Sequence, residues 1–308
     1  MSVDYNLQKI YLGCWEGKKM QRCLTCENVD YKLIKTIGKA HILECPNCSL
    51  AFTDNVTSTK QKLYGKSGPY SFAGYKNNED NQIKRIERFI EAIRSLVLSG
   101  RVLDVGGGYG LFSKELAVHS EYTIDCLEPN LSVRYIDGEK NIKVLKKSFE
   151  SFAKKTKKKY DLITFIDVLE HFHNPDEIIV QAKKLLTKKG HLFIVAPNYQ
   201  SLMAKLCKNW AWWMVEDHYY HFSPKSLRSL LLNNGFRIEY ATTFETFLDF
   251  KKNLDGNYLR RRNDYWLKIK KILSEALTLA GYLITRPILW SFQKGGLILM
   301  IAKKNGKS

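Results

Sequence analysis

The chain has 308 residues, 44% hydrophobic and 26% charged, enough to bury a core in one large or two smaller domains, and this excludes a disordered or fibrous chain. Its net charge of +18 comes from 49 Lys and Arg against 31 Asp and Glu, and 37 of the 49 are lysines scattered along the chain, so the excess reads as composition rather than as a phosphate-binding face. The opening residues, Met-Ser-Val-Asp-Tyr-Asn, lack the basic and apolar regions of a secretory leader, so a cytoplasmic location is expected and cysteine pairs are read as metal ligands before disulfides.

Residues 1–60 form one compositional unit, with β-type runs between two Cys-x-x-Cys pairs, Cys23 with Cys26 and Cys45 with Cys48. Four thiolates at this spacing make two tight knuckles, and their tetrahedral geometry favours a structural zinc ion. Cys14 fits no such spacing, and Cys126 and Cys207 read as buried thiols. Residues 61–80, rich in Gly, Ser, Asn and Tyr, read as a linker to a second domain over 81–308. That domain opens on a helix, because Ile83, Ile86, Phe89, Ile90, Ile93, Leu96 and Val97 recur at helical spacing.

Residues 102–110 follow, Val-Leu-Asp-Val-Gly-Gly-Gly-Tyr-Gly. This is a short apolar strand that breaks into glycines at the start of the helix 111–117, which lets a ligand approach the backbone closely. Strands are then expected at 122–128, 142–145, 160–167, 190–197, 236–240 and 296–302. Helices are expected from Pro175 through Leu186 and, capped by Ser223 and Pro224, through Leu232. This alternation of apolar strands and helices indicates a parallel α/β sheet with helices on both faces. A helical insertion at about 245–294 separates the last two strands. It carries Arg260, Arg261, Arg262, Lys268, Lys270 and Lys271, then an apolar run from 272 to 292 broken by Glu275, Arg286 and Pro287. Helices packed on the domain fit this run better than a membrane span, with room for a peripheral contact to an anionic membrane.

Asp104 precedes alternating glycines at 106, 108 and 110, and Glu128 ends the second strand. An acidic residue at that place hydrogen-bonds the ribose of an adenosine cofactor. The loop closely resembles the first motif of class I S-adenosylmethionine-dependent methyltransferases. Residues 167–171, Asp-Val-Leu-Glu-His, with Asn174 and Pro175, resemble the fourth-strand motif of the ubiquinone-biosynthesis-like group. Residues 185–190, 196–198, 218–227 and 234–236 continue the likeness in the family's order over about 80–245. It implies a Rossmann-like seven-stranded sheet, with a small zinc ribbon in front. It also implies that Asp104, Gly106, Gly108 and Gly110 hold the methionine end of S-adenosylmethionine, that Glu128 binds the ribose, and that Asp167 and Val168 line the pocket beneath the sulfonium.

A hydroxyl acceptor needs a base, and His221, His218 and then His171 are the candidates in that order, each with the alternative of a purely structural role. The ribbon resembles that of methyltransferases in surface-polysaccharide and natural-product pathways. The expected acceptor is therefore a sugar, a lipid-linked sugar or a related metabolite. Residues 210–214, Trp-Ala-Trp-Trp-Met, could stack on such an acceptor or simply pack. An RNA methyltransferase is the runner-up, disfavoured by the lack of an aromatic-interleaved RNA motif. A non-catalytic cofactor-binding scaffold is the third reading. The oligomeric state is not legible.

Overall fold

The computed structural model describes residues 10–12, 14–15, 18–19, 22–54, 56, 72–129, 134–136, 139–257 and 267–305. The linker residues 61–71, the Cys14 side chain, the arginines 260–262 and the side chains of 267–277 lie outside the described set. The N-terminal strands are β1 (Ile10–Leu12), β2 (Cys14–Trp15), β3 (Lys18–Lys19), β4 (Asp30–Ile37), β5 (Ala40–Glu44) and β6 (Ala51–Thr53). Helices α1 (Phe72–Lys76) and α2 (Glu79–Arg94) lead into β7 (Gly100–Val105), α3 (Leu111–Ala117), β8 (Tyr122–Leu127), β9 (Ile142–Leu145), α4 (Phe149–Lys155) and β10 (Tyr160–Ile166). A 3-10 turn, Leu169–His171, precedes α5 (Pro175–Leu185), β11 (Leu186–Pro197), α6 (Leu202–Leu206), β12 (Tyr220–His221), α7 (Pro224–Asn233) and β13 (Phe236–Phe244). Helices α8 (Phe247–Asn257) and α9 (Leu267–Ser291) come before the last strand, β14 (Leu297–Lys304).

Seven strands form the main sheet in the order β13-β14-β11-β10-β7-β8-β9. The chain builds outward from β7 to β8 and β9, then crosses back to β10, so the strand order switches direction between β7 and β10. Open α/β sheets bind ligands at the carboxyl ends of the strands at such a point. Both faces are covered. Leu103, Ile163, Phe165 and Ile194 pack on one side, and Phe89, Val102, Leu162, Phe193 and Val195 on the other. Phe89 of α2 meets Phe193 and Phe244 edge-on at 5.6 and 5.7 Å. The α7 cap is as expected: Ser223 and Ser226 form a reciprocal capping box, with Pro224 in the first turn.

The expectation of an all-parallel sheet is corrected at one strand. β14 pairs antiparallel with both β11 and β13. The reason is where the insertion begins and ends. Phe244 and Leu297 are cross-strand partners, so the excursion over 245–296 leaves and re-enters at the same sheet edge, whereas a parallel strand would need a crossover to the opposite edge. The insertion thus sits at the carboxyl edge. It is anchored there by the Tyr282 hydroxyl, which donates to the Glu245 carbonyl at 2.8 Å. The apolar run lies within the single helix α9 up to its last residue, Phe292, which begins the turn after it, and among the described residues no helix is long and apolar enough to cross a membrane. A smaller correction falls at Leu186, which opens β11 rather than ending α5.

The ribbon is joined to the α/β unit by a shared sheet, ordered β1-β4-β5-β6-β12, whose last strand comes from residues 220–221. His221 pairs with Ala51, and its Nε2 meets Thr53 Oγ1 at 2.9 Å. Tyr199 donates its hydroxyl to Glu44 and to the Ser49 carbonyl across the same seam. Cys23, Cys45, Cys48 and Leu50 pack in one core with Phe165, Phe222 and Leu227. The seam carries a pH dependence. Burial drives the His221 imidazole down from its ordinary 6.5 to about 3. Between those values the unfolded chain binds the proton and the folded chain does not, so stability falls as the pH drops from 6.5 towards 3. His221→Gln is expected to flatten the slope of unfolding free energy against pH across this window, by up to about 1.4 kcal/mol per pH unit, when chemical denaturation is followed at a series of pH values.

Candidate functional site

At the end of β7 the backbone turns over the sheet edge with left-handed φ angles of 70°, 55° and 90° at Gly106, Gly108 and Gly110. Side chains adopt that region at a cost of about 1–2 kcal/mol each, so the alternate glycines are a backbone requirement. Gly107 is needed for space instead: a Cβ there would stand 2.3 Å from Cys126 Sγ and 3.0 Å from Asp104 Oδ2. A Cβ on Gly108 would meet nothing within 4 Å, and that open side is where a ligand can lie against the loop.

Asp104 sits beneath this loop and is 2% exposed. Thr164, its partner in register on β10, donates to Oδ1 at 2.8 Å, and Ser113 of α3 donates to Oδ2 at 2.7 Å. Burial pushes the carboxyl up and these two hydroxyls oppose the shift. The side chain is thus turned inward, and it reaches the site through the loop that it seats. Glu128, one residue past β8, accepts the Gly108 N–H at 3.1 Å. The two expected halves of a cofactor cradle are therefore in contact. Phe72 and Tyr75 of α1 stand over Tyr109 of the loop, at ring separations of 5.0 and 5.4 Å.

Asp167 follows β10 with φ 53°, one of four non-glycine residues in the left-handed region among the described residues. Such strain gathers at functional sites. Its Oδ2 takes a hydrogen bond from Arg85 Nη2 at 2.7 Å, and its Oδ1 is buried without a partner. Arg85 is 5% exposed on the inner face of α2, with its guanidinium near Phe89 and Trp212. Burial opposes that charge, and Asp167, with Asp249 and Tyr75, more than restores it. Val168 lies against Gly106, where a Cβ would come within 2.6 Å of its Cγ2. Arg85, Ser113 and Thr164 were not among the residues singled out from the sequence. Only Arg85 left a signal there, as a lone cation inside the apolar stripe of a helix.

The three histidines fall at the same edge in different states. His221 is committed to Thr53. His171 Nδ1 faces both the carbonyl and the carboxylate of Asp217 at 3.1 Å. Burial lowers its pKa, but the Asp217 hydrogen bond and the charges of Glu170 and Asp217 outweigh this and hold it at about 9. His218 is 1% exposed, and burial followed by repulsion from His171 and His221 lowers it well below its ordinary value. In the tryptophan cluster, Trp210 is buried and packs edge-on against Trp213 at 5.1 Å, while Trp212 lies over Arg85.

The four ribbon cysteines each bring Sγ within 4.8 Å of the others. Their two knuckles repeat one another. Glu27 N–H donates to the Cys23 carbonyl and Ser49 N–H to the Cys45 carbonyl, at 3.0 and 2.9 Å. Glu27 and Ser49, each four residues past the first cysteine of its pair, both have φ 58°. Four clustered thiols on paired knuckles fit a tetrahedral ion.

A family model described as a methyltransferase domain matches residues 78–241, more than half of the chain. The chain is 34% identical over 101 residues to the ubiquinone biosynthesis O-methyltransferase of Pelagibacter ubique, covering 32% of this chain and 42% of that protein. It is 27% identical over 170 residues to the protein of the same name from Rickettsia bellii (strain OSU 85-389), covering 50% and 70%. The chain thus spans less than half the length of the Pelagibacter relative. A solved S-adenosylmethionine-dependent methyltransferase from Archaeoglobus fulgidus superposes with a TM-score of 0.52 at 18% identity, over 76% of this chain and 100% of that one, which shows a common fold.

Two substitutions separate the needs of the loop. Gly107→Ala is expected to cost about 1–3 kcal/mol by overpacking against Cys126 and Asp104. Gly108→Ala is expected to cost about 1–2 kcal/mol through its φ alone, and its added methyl projects into the ligand space. Urea unfolding and cofactor titration distinguish them: at Gly108 binding is expected to suffer more than stability, and at Gly107 the reverse.

Proposed function

This chain belongs to the methyltransferase-domain family, and we propose that it transfers the methyl group of S-adenosylmethionine to a hydroxyl of a sugar, a lipid-linked sugar or a related metabolite. The observation that carries this reading is the cradle at the switch point of the sheet. There Gly106, Gly108 and Gly110 bare the backbone at the end of β7, and Glu128 reaches their loop from the end of β8. When bound, the cofactor supplies a methyl group on a sulfonium whose charge is lost as the methyl moves. The loop backbone gives room to the methionine end and Glu128 accepts from the ribose hydroxyls. Asp167 and Val168 border the reacting centre, with Arg85 holding Asp167 in place. Holding donor and acceptor in line in a desolvated site supplies most of the acceleration that such a displacement needs.

The proton of the acceptor is assigned to the edge lined by His171 and His218, because His221 is occupied by Thr53. An O-directed acceptor is supported by the names of the relatives. A glycan or lipid-linked acceptor is supported by the ribbon resemblance, and the α/β unit is read as residues 81–308 behind a ribbon of residues 1–60. The ribbon is proposed to hold structural zinc, since so small a unit needs a metal for stability. Exposed Ile284 and Ile288 on α9, with exposed Phe292 in the turn after it, support a peripheral contact with an anionic membrane from the cytoplasmic side.

Calorimetric titration with S-adenosylhomocysteine is expected to show one site, weakened about 10–100-fold by Glu128→Ala through loss of a charged hydrogen bond. Incubation of cell fractions with methyl-labelled cofactor is expected to place label in lipid or glycan. Label in RNA, with steeply salt-dependent binding, points to the RNA alternative. Binding without turnover points to a scaffold. An absence of binding, unaltered by Glu128→Ala, sinks the reading.

A further inference from the structure

Arg85 and Asp167 meet through one hydrogen bond where their shapes allow two. A guanidinium presents Nε–H and Nη2–H in parallel, and a carboxylate presents two oxygens at matching spacing, so such pairs close as a fork with two bonds. Here Nη2 donates to Asp167 Oδ2 at 2.7 Å. Arg85 Nε and Asp167 Oδ1 are both buried without a partner. The bare donor and the bare acceptor are the second arm of that one fork. Burying both unpaired costs the fold the desolvation of each.

Both ends of this arm are held by other bonds. Arg85 Nη1 donates to Gln82 Oε1 at 3.1 Å, and the guanidinium lies 5.7 Å from the ring centre of Phe89 and 6.0 Å from that of Trp212. Asp167 is fixed through its backbone, whose N–H donates to the Val195 carbonyl at 3.0 Å and whose φ is 53°. A third group can complete the arm if one atom of it accepts from Nε and donates to Oδ1. A hydroxyl does both. An alkylammonium has no lone pair for Nε, and an ether or a carbonyl has no proton for Oδ1.

We propose that Arg85 Nε and Asp167 Oδ1 clamp one hydroxyl of the acceptor, and that the acceptor is a vicinal diol of the kind a sugar ring presents. This rests on the methyltransferase reading, which sets the reacting centre beside Asp167 and Val168. The clamped oxygen accepts from a cation, which draws off the electron density that attack on a methyl group needs. That oxygen is therefore held and not methylated. The methyl goes to a neighbouring hydroxyl. Val168 directly follows Asp167 in the chain, so this neighbour belongs to the adjoining carbon. Its oxygen bonds the methyl carbon as the carbon–sulfur bond breaks and the sulfonium becomes a thioether, and its proton leaves towards the edge of His171 and His218. The Trp212 indole, half-buried beside the guanidinium, gives flat apolar surface for the C–H face of such a ring.

Two experiments on the intact protein test this. In the first, crystals are soaked in ethylene glycol as the probe. One hydroxyl oxygen of the diol is expected within hydrogen-bond distance of both Arg85 Nε and Asp167 Oδ1. A fork closed directly, Nε on Oδ1, overturns the proposal, as does a fork without the diol. In the second, cell fractions are treated with periodate, which cleaves vicinal diols, then reduced with borohydride and offered methyl-labelled cofactor. Label is expected in mock-treated fractions and lost from treated ones; undiminished label overturns the proposal. Arg85→Lys keeps a cation beside Asp167 but not the parallel donors. It is expected to raise the apparent KM for the untreated fraction about tenfold or more, the loss of one charged hydrogen bond, with S-adenosylhomocysteine affinity unchanged. Loss of cofactor affinity with an unchanged acceptor KM places the pair under the cofactor loop and overturns the clamp. Titration with S-adenosylhomocysteine keeps the two readings apart. Cofactor binding without the diol in the fork sinks only the clamp; a diol in the fork of a protein that binds no cofactor sinks only the methyltransferase reading.

Discussion

A carboxylate in the middle of a β-sheet must be satisfied, and the geometry of this molecule follows from how Asp104 is. Its two oxygens take one hydroxyl from the adjacent strand, Thr164, and one from the following helix, Ser113. These two bonds tie β7, β10 and α3 together at the point where the strand order switches. They also set the floor on which the glycine loop rests, so close that Gly107 has room for no side chain between Asp104 and Cys126. An aliphatic residue would fit the burial of position 104 but would leave Thr164 and Ser113 without this acceptor. Asp104 therefore acts by shaping the backbone of the loop above it.

From that floor the rest of the chain is arranged around one sheet edge. Glu128, Asp167, Asn198 and Glu245 each stand at the carboxyl end of a strand. The insertion after Glu245 returns to the edge it left, so α8 and α9 border the site without crossing the sheet. The ribbon arrives from the other side, adding a sheet that residues 220–221 complete. Partners at the edge are distant in the chain. Arg85 and Asp167 are 82 residues apart, and Thr53 and His221 are 168 apart. Each such pair draws a polar group out of water, so the edge concentrates the stored electrostatic cost of the fold. The strained φ of Asp167 and the bare oxygens of Glu170 are parts of that cost.

Much of this was legible in the residues, and what was legible is local. The glycine loop, the apolar strands, the Ser223–Pro224 cap and the two cysteine knuckles each depend on a few consecutive side chains and their backbone preferences, so their positions could be read directly. The direction of β14 could not, because it is decided by where a long insertion closes and not by the residues of the strand. Nor could the role of Arg85, whose place on an apolar stripe looks like an irregularity until Asp167 is brought beside it. The ribbon is separable by composition, yet its core is continuous with that of the sheet, since packing joins whatever apolar faces meet. The histidines were visible as a group. Their separate states depend on Thr53, Asp217 and the Trp212 backbone, which no spacing rule connects to them.

The most direct measurement is a crystal structure with S-adenosylhomocysteine. The ribose is expected on Glu128 and the amino-acid end against the backbone of Gly106–Gly110, with Asp104 still holding Thr164 and Ser113. A ligand bound elsewhere, or an Asp104 side chain swung out to grasp it directly, would contradict the view that this buried carboxylate acts by seating the loop.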